Sequence, residues 1–280
     1  METNHPAVNI ERSFVASLLR PRDPASHKGN FGHALLVAGN TGKMGAAVLA
    51  ARACLRTGVG LLTVNVPRDE RSILQTAIPE AMLMMREDGG TPAHFSAIGV
   101  GPGMGTDETA VSFIINLLEN YDKPLLLDAD ALTILSVNKQ LWDMIPPNTV
   151  LTPHPGEFDR MFGKHDSIKE RNEKARQLSA SHPWVIVLKG QHTQIAFKGT
   201  AYINTTGNAG LAKGGSGDTL TGMILAFLAQ GYTAPDAAVI AVYLHGLAAD
   251  LALEDQSMET MLASDLPLYL GKAFKNINSQ

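Results

Sequence analysis

The tightest constraint on how this chain can fold is a repeated order of short apolar runs that break into glycine or a polar loop and pass at once into a helical pattern. HALLVAGN (33–40) ends in glycine, and TGKMGAAVLAARACLRTG follows as a helix of small residues that stops at Gly58. LLTVNVP (61–67) is the next strand. SAIGVGPGMG (96–105) is another buried run, broken by glycines before the helical spacing of Val111, Ile114, Ile115 and Leu118. PLLLDADAL (124–132) and TVLTPHPGEFDRM (149–161) repeat the theme, each a strand with polar residues at its carboxyl end. After a polar helix (167–181), WVIVLKGQHTQIAFKGTAYIN reads as three short strands at 184–189, 194–197 and 201–204. Apolar helices at about 216–230 and 234–254 complete the order. Strands alternating with helices predict a single α/β domain whose mostly parallel central sheet is covered by helices on both faces.

Residues 9–30 hold a short amphipathic helix around Phe14, Val15, Leu18 and Leu19, then PRDPASHKGN, which is too rich in proline and polar residues to form an element. The expected organisation is an N-terminal helix and entry arm (1–30) ahead of one domain (31–280). A net charge of -4 and a pI near 6.1 give no electrostatic basis for binding nucleic acid or an anionic membrane, which points to a small-molecule partner. Cys54 is the only cysteine and sits among Ala50, Ala51, Ala53 and Leu55, where a small buried apolar residue fits better than a reactive thiol. No apolar run approaches the ~20 residues needed to span a bilayer. The opening METNHPAVNIERSF lacks the basic start and apolar run of a secretion signal, so a cytoplasmic location is expected.

Function concentrates in NTTGNAGLAKGGSGDTLT (204–221), a glycine-dense loop that runs into the helical positions Met223, Ile224, Phe227 and Leu228. Gly214, Gly215 and Gly217 open backbone conformations closed to residues with a Cβ, and the first amides of a helix are unpaired donors that suit a phosphate. Asp218 has two readings: a base for a substrate hydroxyl, or a carboxylate favouring the helix start. Asp128 and Asp130 stand at the carboxyl end of a buried strand, where open α/β sheets bind ligands, although either residue would also serve as a cap. His154 lies between two prolines that fix its backbone, with Glu157 in the first turn of the next helix. GNTGKMG is not a phosphate loop of the Gly-Lys-Ser/Thr kind, because Met44 follows Lys43.

The order of HKGNFGHALLVAGN, GPGMG, DADAL, TPHPGE, KGQHT and GNAGLAKGGSGDTLTG resembles the ADP/ATP-dependent NAD(P)H-hydrate dehydratase family of the ribokinase-like superfamily, over about residues 24–255. The resemblance implies phosphorylation of the ring hydroxyl of hydrated NADH or NADPH, followed by loss of phosphate. By position it implies Asp218 as the base and the amides of Gly215, Ser216 and Gly217 as the anion hole. It places Lys189, Gly190, Gln191, His192, Thr193 and Gly217 on the ADP or ATP co-substrate. Ala46, Gly103, His154 and Asp218 would line the hydrate pocket, and Glu157 would reach Mg2+ through water. The residues ahead of His33 are too few for the epimerase domain that many relatives carry, so a stand-alone dehydratase is implied. A homo-oligomer, favoured as a tetramer, is expected because the family assembles and because alanine-rich helices and 11 methionines leave apolar helix surface to cover. The alternative is a ribokinase-like kinase of a vitamin precursor such as hydroxyethylthiazole or pyridoxal, which would use the same base and anion hole.

Overall fold

A computed structural model describes residues 7–89 and 92–278; residues 1–6 of the expected entry arm lie outside the described residues. Its ten strands are β1 (Val8–Ile10), β2 (His33–Val37), β3 (Leu61–Val66), β4 (Met82–Met85), β5 (Ala97–Val100), β6 (Leu125–Leu127), β7 (Val150–Leu151), β8 (Val185–Leu188), β9 (Gln194–Phe197) and β10 (Thr200–Asn204). They form one sheet in the order β1-β10-β9-β8-β7-β6-β5-β2-β3-β4. The block from β4 to β8 is parallel throughout, whereas β8, β9 and β10 pair antiparallel and β1 joins β10 in parallel. The parallel block carries every β-α crossover, so its carboxyl ends all open into the same crevice.

The helices are α1 (Arg12–Leu18), α2 (Met44–Arg56), α3 (Arg71–Ala77), α4 (Glu108–Asn120), α5 (Ala129–Val137), α6 (Pro155–Phe162), α7 (Ile168–Ser181), α8 (Ser216–Ala229), α9 (Ala234–Ala252) and α10 (Leu266–Asn278). Alternation along β2 sends Ala34 and Leu36 into a core with α2, α8, α9 and α10, and Leu35 and Val37 into a second core with α4 and α5. Burial on both faces explains why these strands read as unbroken apolar runs.

Four elements went unassigned in the sequence: β1, β4, α3 and α10. The two strands are edge strands of three and four residues, too short to show a period. The predicted strand at 124–132 stops at Leu127 because α5 begins at Ala129, which takes φ 48°; Asp128 occupies the N-cap position but makes no capping bond with its side chain. Ile10 and Val15 are fully buried in the main core, which anchors the described part of the arm. The 19-residue α9 does reach the length and apolarity of a bilayer span, contrary to the reading of the sequence, but 72% of its apolar window is buried inside this fold.

Alanine-rich α2 packs on α8 so closely that a Cβ added at Gly222 would lie 2.0 Å from the Ala50 carbonyl oxygen. The small residues Ala47, Ala50, Ala51 and Ala53 of α2 are thus buried inside the chain. Gly222→Ala should destabilise the fold by ~1–3 kcal/mol, the cost of overpacking where backbone must give way. A urea melt within a few tenths of a kcal/mol of the parent would show that the two helices separate more easily than this contact implies.

Candidate active site

Helix α8 begins at the carboxyl edge of the sheet with Gly215 as its N-cap, at φ 92°. Of the three glycines expected to need unusual backbone, only Gly215 has positive φ. No side chain caps the helix. Asp218 is therefore not the cap, and among the described residues no donor reaches its carboxylate. The Ser216 amide makes a long 3.4 Å bond to the Lys213 carbonyl, while no bond between backbone groups uses the Gly215 or Gly217 amide. The helix start thus keeps the unpaired donors and positive dipole end that an anion needs.

The strand ends supply charge around this helix start. Lys189 follows β8, and its Nζ lies 2.8 Å from Asp128 Oδ1 and 3.9 Å from Glu157 Oε2. Asp128 is 1% exposed and also accepts a 2.6 Å hydrogen bond from the Thr221 hydroxyl. Burial alone would lower the Lys189 pKa, but Asp128, Glu157 and Asp218 outweigh it and hold the ammonium above its ordinary value. Burial first, then the charges of Asp128 and Asp130, push Asp218 up to about 6 against the opposing pull of Lys189. His245, which sequence reading missed, lies on α9 with Nε2 3.0 Å from the Ser216 carbonyl oxygen and 3.1 Å from the Thr219 hydroxyl. Burial lowers it to about 4, so it stays neutral and ties α9 to the first turn of α8.

A cavity of about 900 Å3 opens beside this cluster. Lys189, Gly190, Gln191, Thr193, Ser216 and Gly217 all line it, whereas His192 is exposed and does not. His154 also lines this cavity, on the side of the expected nucleotide residues. Its Nδ1 accepts the Gly156 and Glu157 amides at 3.0 and 3.3 Å, and Glu157 Oε2 accepts the His154 amide at 2.8 Å. The ring is thus a helix cap as well as part of the wall. Ala46 and Gly103 are outside the cavity wall but against each other, since a Cβ on Gly103 would be 3.2 Å from the Ala46 Cβ. Asp130 stands on that second side, accepting the Gly105 amide at 2.9 Å with Lys43 Nζ at 3.8 Å. Asp218 is not itself among the residues that line the cavity, although its neighbours Ser216 and Gly217 are, and it feels the charges of both Asp128 and Asp130.

Among the described residues no group of three or more His, Cys, Asp or Glu side chains is arranged to hold a metal. Mg2+ accordingly fits here only in the form it takes in phosphoryl transfer, held by phosphate oxygens and water with a carboxylate nearby, and Glu157 offers that carboxylate.

The family model for NAD(P)H-hydrate dehydratase matches residues 34–271. The chain belongs to this family. It is 39% identical to the ADP-dependent (S)-NAD(P)H-hydrate dehydratase of Bacillus subtilis, covering 93% of this chain and 95% of that protein. It is 36% identical to a bifunctional NAD(P)H-hydrate repair enzyme of Moorella thermoacetica, of which it spans 54%. A crystal structure of the ADP/ATP-dependent NAD(P)H-hydrate dehydratase from Bacillus subtilis, co-crystallised with ATP/Mg2+, matches with a TM-score of 0.89 and 37% identity over 98% of this chain and 99% of that one. A crystal structure of a ribokinase-like superfamily protein from Enterococcus faecalis matches with a TM-score of 0.88 and 30% identity over 97% of this chain and 96% of that one, so the fold is ribokinase-like as expected, a single α/β domain.

In this member of the dehydratase family Lys189 also carries structure. Lys189→Met should cost ~3–5 kcal/mol, because it strands the buried Asp128 carboxylate. Adding Asp128→Asn should recover a large part of that loss. Denaturant melts of the two single variants and the double variant measure the coupling, and simple additivity would mean that the pair does not hold the crevice together.

Proposed function

We propose that the chain is a hydro-lyase that dehydrates the S epimer of hydrated NADH or NADPH at the expense of ADP or ATP. The observation that carries this reading is Asp218: a carboxylate without a hydrogen-bond donor, raised to about 6, in the first turn of an anion-binding helix whose opening residues line the cavity.

In the proposed reaction Asp218 takes the proton of the ring hydroxyl as its oxygen attacks the terminal phosphorus of the nucleotide. With ADP the bond to the bridging oxygen breaks and AMP departs. The amides of Gly215, Ser216 and Gly217 receive charge on the phosphoryl group in flight. Lys189, Gly190, Gln191 and Thr193 position the nucleotide, for which the 900 Å3 cavity has room, and Lys189 faces its phosphates. Glu157 would hold Mg2+ through water, and the chemistry the ion supplies there is neutralisation of phosphate charge. Phosphate then leaves the ring carbon, driven by the lone pair of the ring nitrogen, and loss of a neighbouring ring proton restores the dihydropyridine. The sum is hydrate plus ADP giving reduced nicotinamide, AMP and phosphate. The kinase alternative would stop at a phosphorylated product, and family membership favours the dehydration.

Mixing the protein with hydrated NADH, magnesium and ADP or ATP should restore the absorbance of reduced nicotinamide and release phosphate; accumulation of a stable phosphate ester would support the kinase instead. Asp218→Asn should lower turnover by ~10²- to 10⁴-fold while ADP still binds. The same residue sets a pH signature. A carboxyl raised in the folded state contributes stability that is full below its unfolded value of 3.8 and is lost as pH rises through about 6. Asp218→Asn removes that loss, so relative to the parent it should be more stable at pH 8 than at pH 4, and the parent's kcat/KM should rise with pH through about 6. A variant that keeps a tenth of its activity, roughly, would put the base elsewhere.

The homo-oligomer, with a tetramer favoured, also belongs to the proposal, supported by the family resemblance now that the alanine-rich helices are packed within the chain. Light scattering should return a multiple of 29.9 kDa; the single-chain mass at working concentration would refute assembly.

A further inference from the structure

Arg86 follows β4 and reaches across the carboxyl ends of three other strands. Its Nη2 donates to the carbonyl oxygens of Ala38 at 3.1 Å, Gly39 at 3.0 Å and Asn65 at 3.2 Å. Its Nε donates to Asn65 Oδ1 at 3.1 Å, and its Nη1 to the Met104 carbonyl oxygen at 3.3 Å. One guanidinium therefore joins the exit of β2, the exit of β3 and the glycine loop that follows β5. The two loops are also joined directly, since the Gly39 amide donates to the Pro102 carbonyl at 2.8 Å and Asn40 Nδ2 to the Met104 carbonyl at 3.2 Å. These are the loops that lead into the first turn of α2, where Ala46 sits, and that carry Gly103. There is little slack where they meet: a Cβ on Gly103 would come within 3.0 Å of the Lys43 carbonyl oxygen.

We propose that Arg86 is a positioning residue for the hydrate pocket: by gathering the carbonyls of Ala38, Gly39, Asn65 and Met104, it fixes the wall that Ala46 and Gly103 form in contact with each other, against which the hydrated ring lies. The inference rests on the dehydratase reading and adds to it a residue that touches no substrate. Only a planar fork of donors spans these acceptors at once; a lysine ammonium keeps the charge but not the geometry. The nucleotide cavity is bounded by other residues, none of them in these loops. Loss of Arg86 should therefore separate the two substrates kinetically.

The test is steady-state kinetics on Arg86→Lys, with calorimetric titration of NADH and of ADP run separately as readouts that need no turnover. The expected result is a KM for the hydrate and a Kd for NADH raised about tenfold or more, the scale of a lost charged hydrogen bond. The KM and Kd for ADP should stay within about twofold. Asn40→Ala, which removes the second side-chain donor to the Met104 carbonyl and leaves Arg86 in place, guards against misfolding and should raise the hydrate KM by about two- to tenfold. A folded Arg86→Lys protein with unchanged hydrate KM and NADH affinity overturns the inference, and so do hydrate and ADP constants that worsen together. If the parent protein fails to regenerate reduced nicotinamide, the dehydratase reading falls; if the parent turns over and Arg86→Lys matches it, only the role of Arg86 falls.

Discussion

The ammonium of Lys189 between buried carboxylates is the interaction on which the crevice depends. Strands β6, β7 and β8 are neighbours in a parallel block, so Asp128, Glu157 and Lys189 all leave the sheet at the same edge. A carboxylate that is 1% exposed is held in place only if it is paired and hydrogen-bonded, and Asp128 has both the lysine at 2.8 Å and the Thr221 hydroxyl at 2.6 Å. Asp218 has neither contact. It shares the field of the same lysine, yet burial and the neighbouring Asp128 charge win, and its carboxyl titrates near 6. Two aspartates in one crevice are thus driven apart in character by their surroundings, the general way in which a site separates an anchoring anion from a proton acceptor.

That division is useful only if the start of α8 is held still, and helix packing does this work. A Cβ on Gly99 of β5 would come 3.1 Å from Leu225 of α8, and Gly222 leaves room for the α2 backbone on another side. Helix α8 therefore seats against sheet and helix at glycine contacts that larger residues would push apart. His245 adds a polar tie from α9 to the first turn. The anion site is set by packing far behind it as much as by its glycine loop.

These facts explain what the sequence could disclose. Periodicity and glycine breaks are local, and they placed the inner parallel strands, the helix at Ser216 and the paired prolines around His154. Asp128 and Asp130 looked alike in sequence. They part in the fold because Ala129 turns with φ 48°, sending one carboxylate onto Lys189 and the other to the Gly105 amide. Lys189 and Asp128 are separated by 61 positions, and no local pattern announces such a pair. His245 was hidden in an alanine-rich helix, and Arg86 just past an edge strand too short to be read. Each of these residues draws its meaning from a partner on another strand or helix.

The raised carboxyl also connects stability to chemistry. An ordinary aspartate near 4 is a weak proton acceptor, while one at about 6 is still ionised at neutral pH and a stronger base. The burial that makes it so opposes its charge in the folded state, and the parallel sheet and close-packed helices must offset that cost. Nothing in the capping of α8 requires Asp218, since Gly215 starts the helix and no side chain caps it. A charged group kept at a position where it weakens the fold, beside free amides at the mouth of an anion-binding helix, is explained by the reaction and not by the architecture.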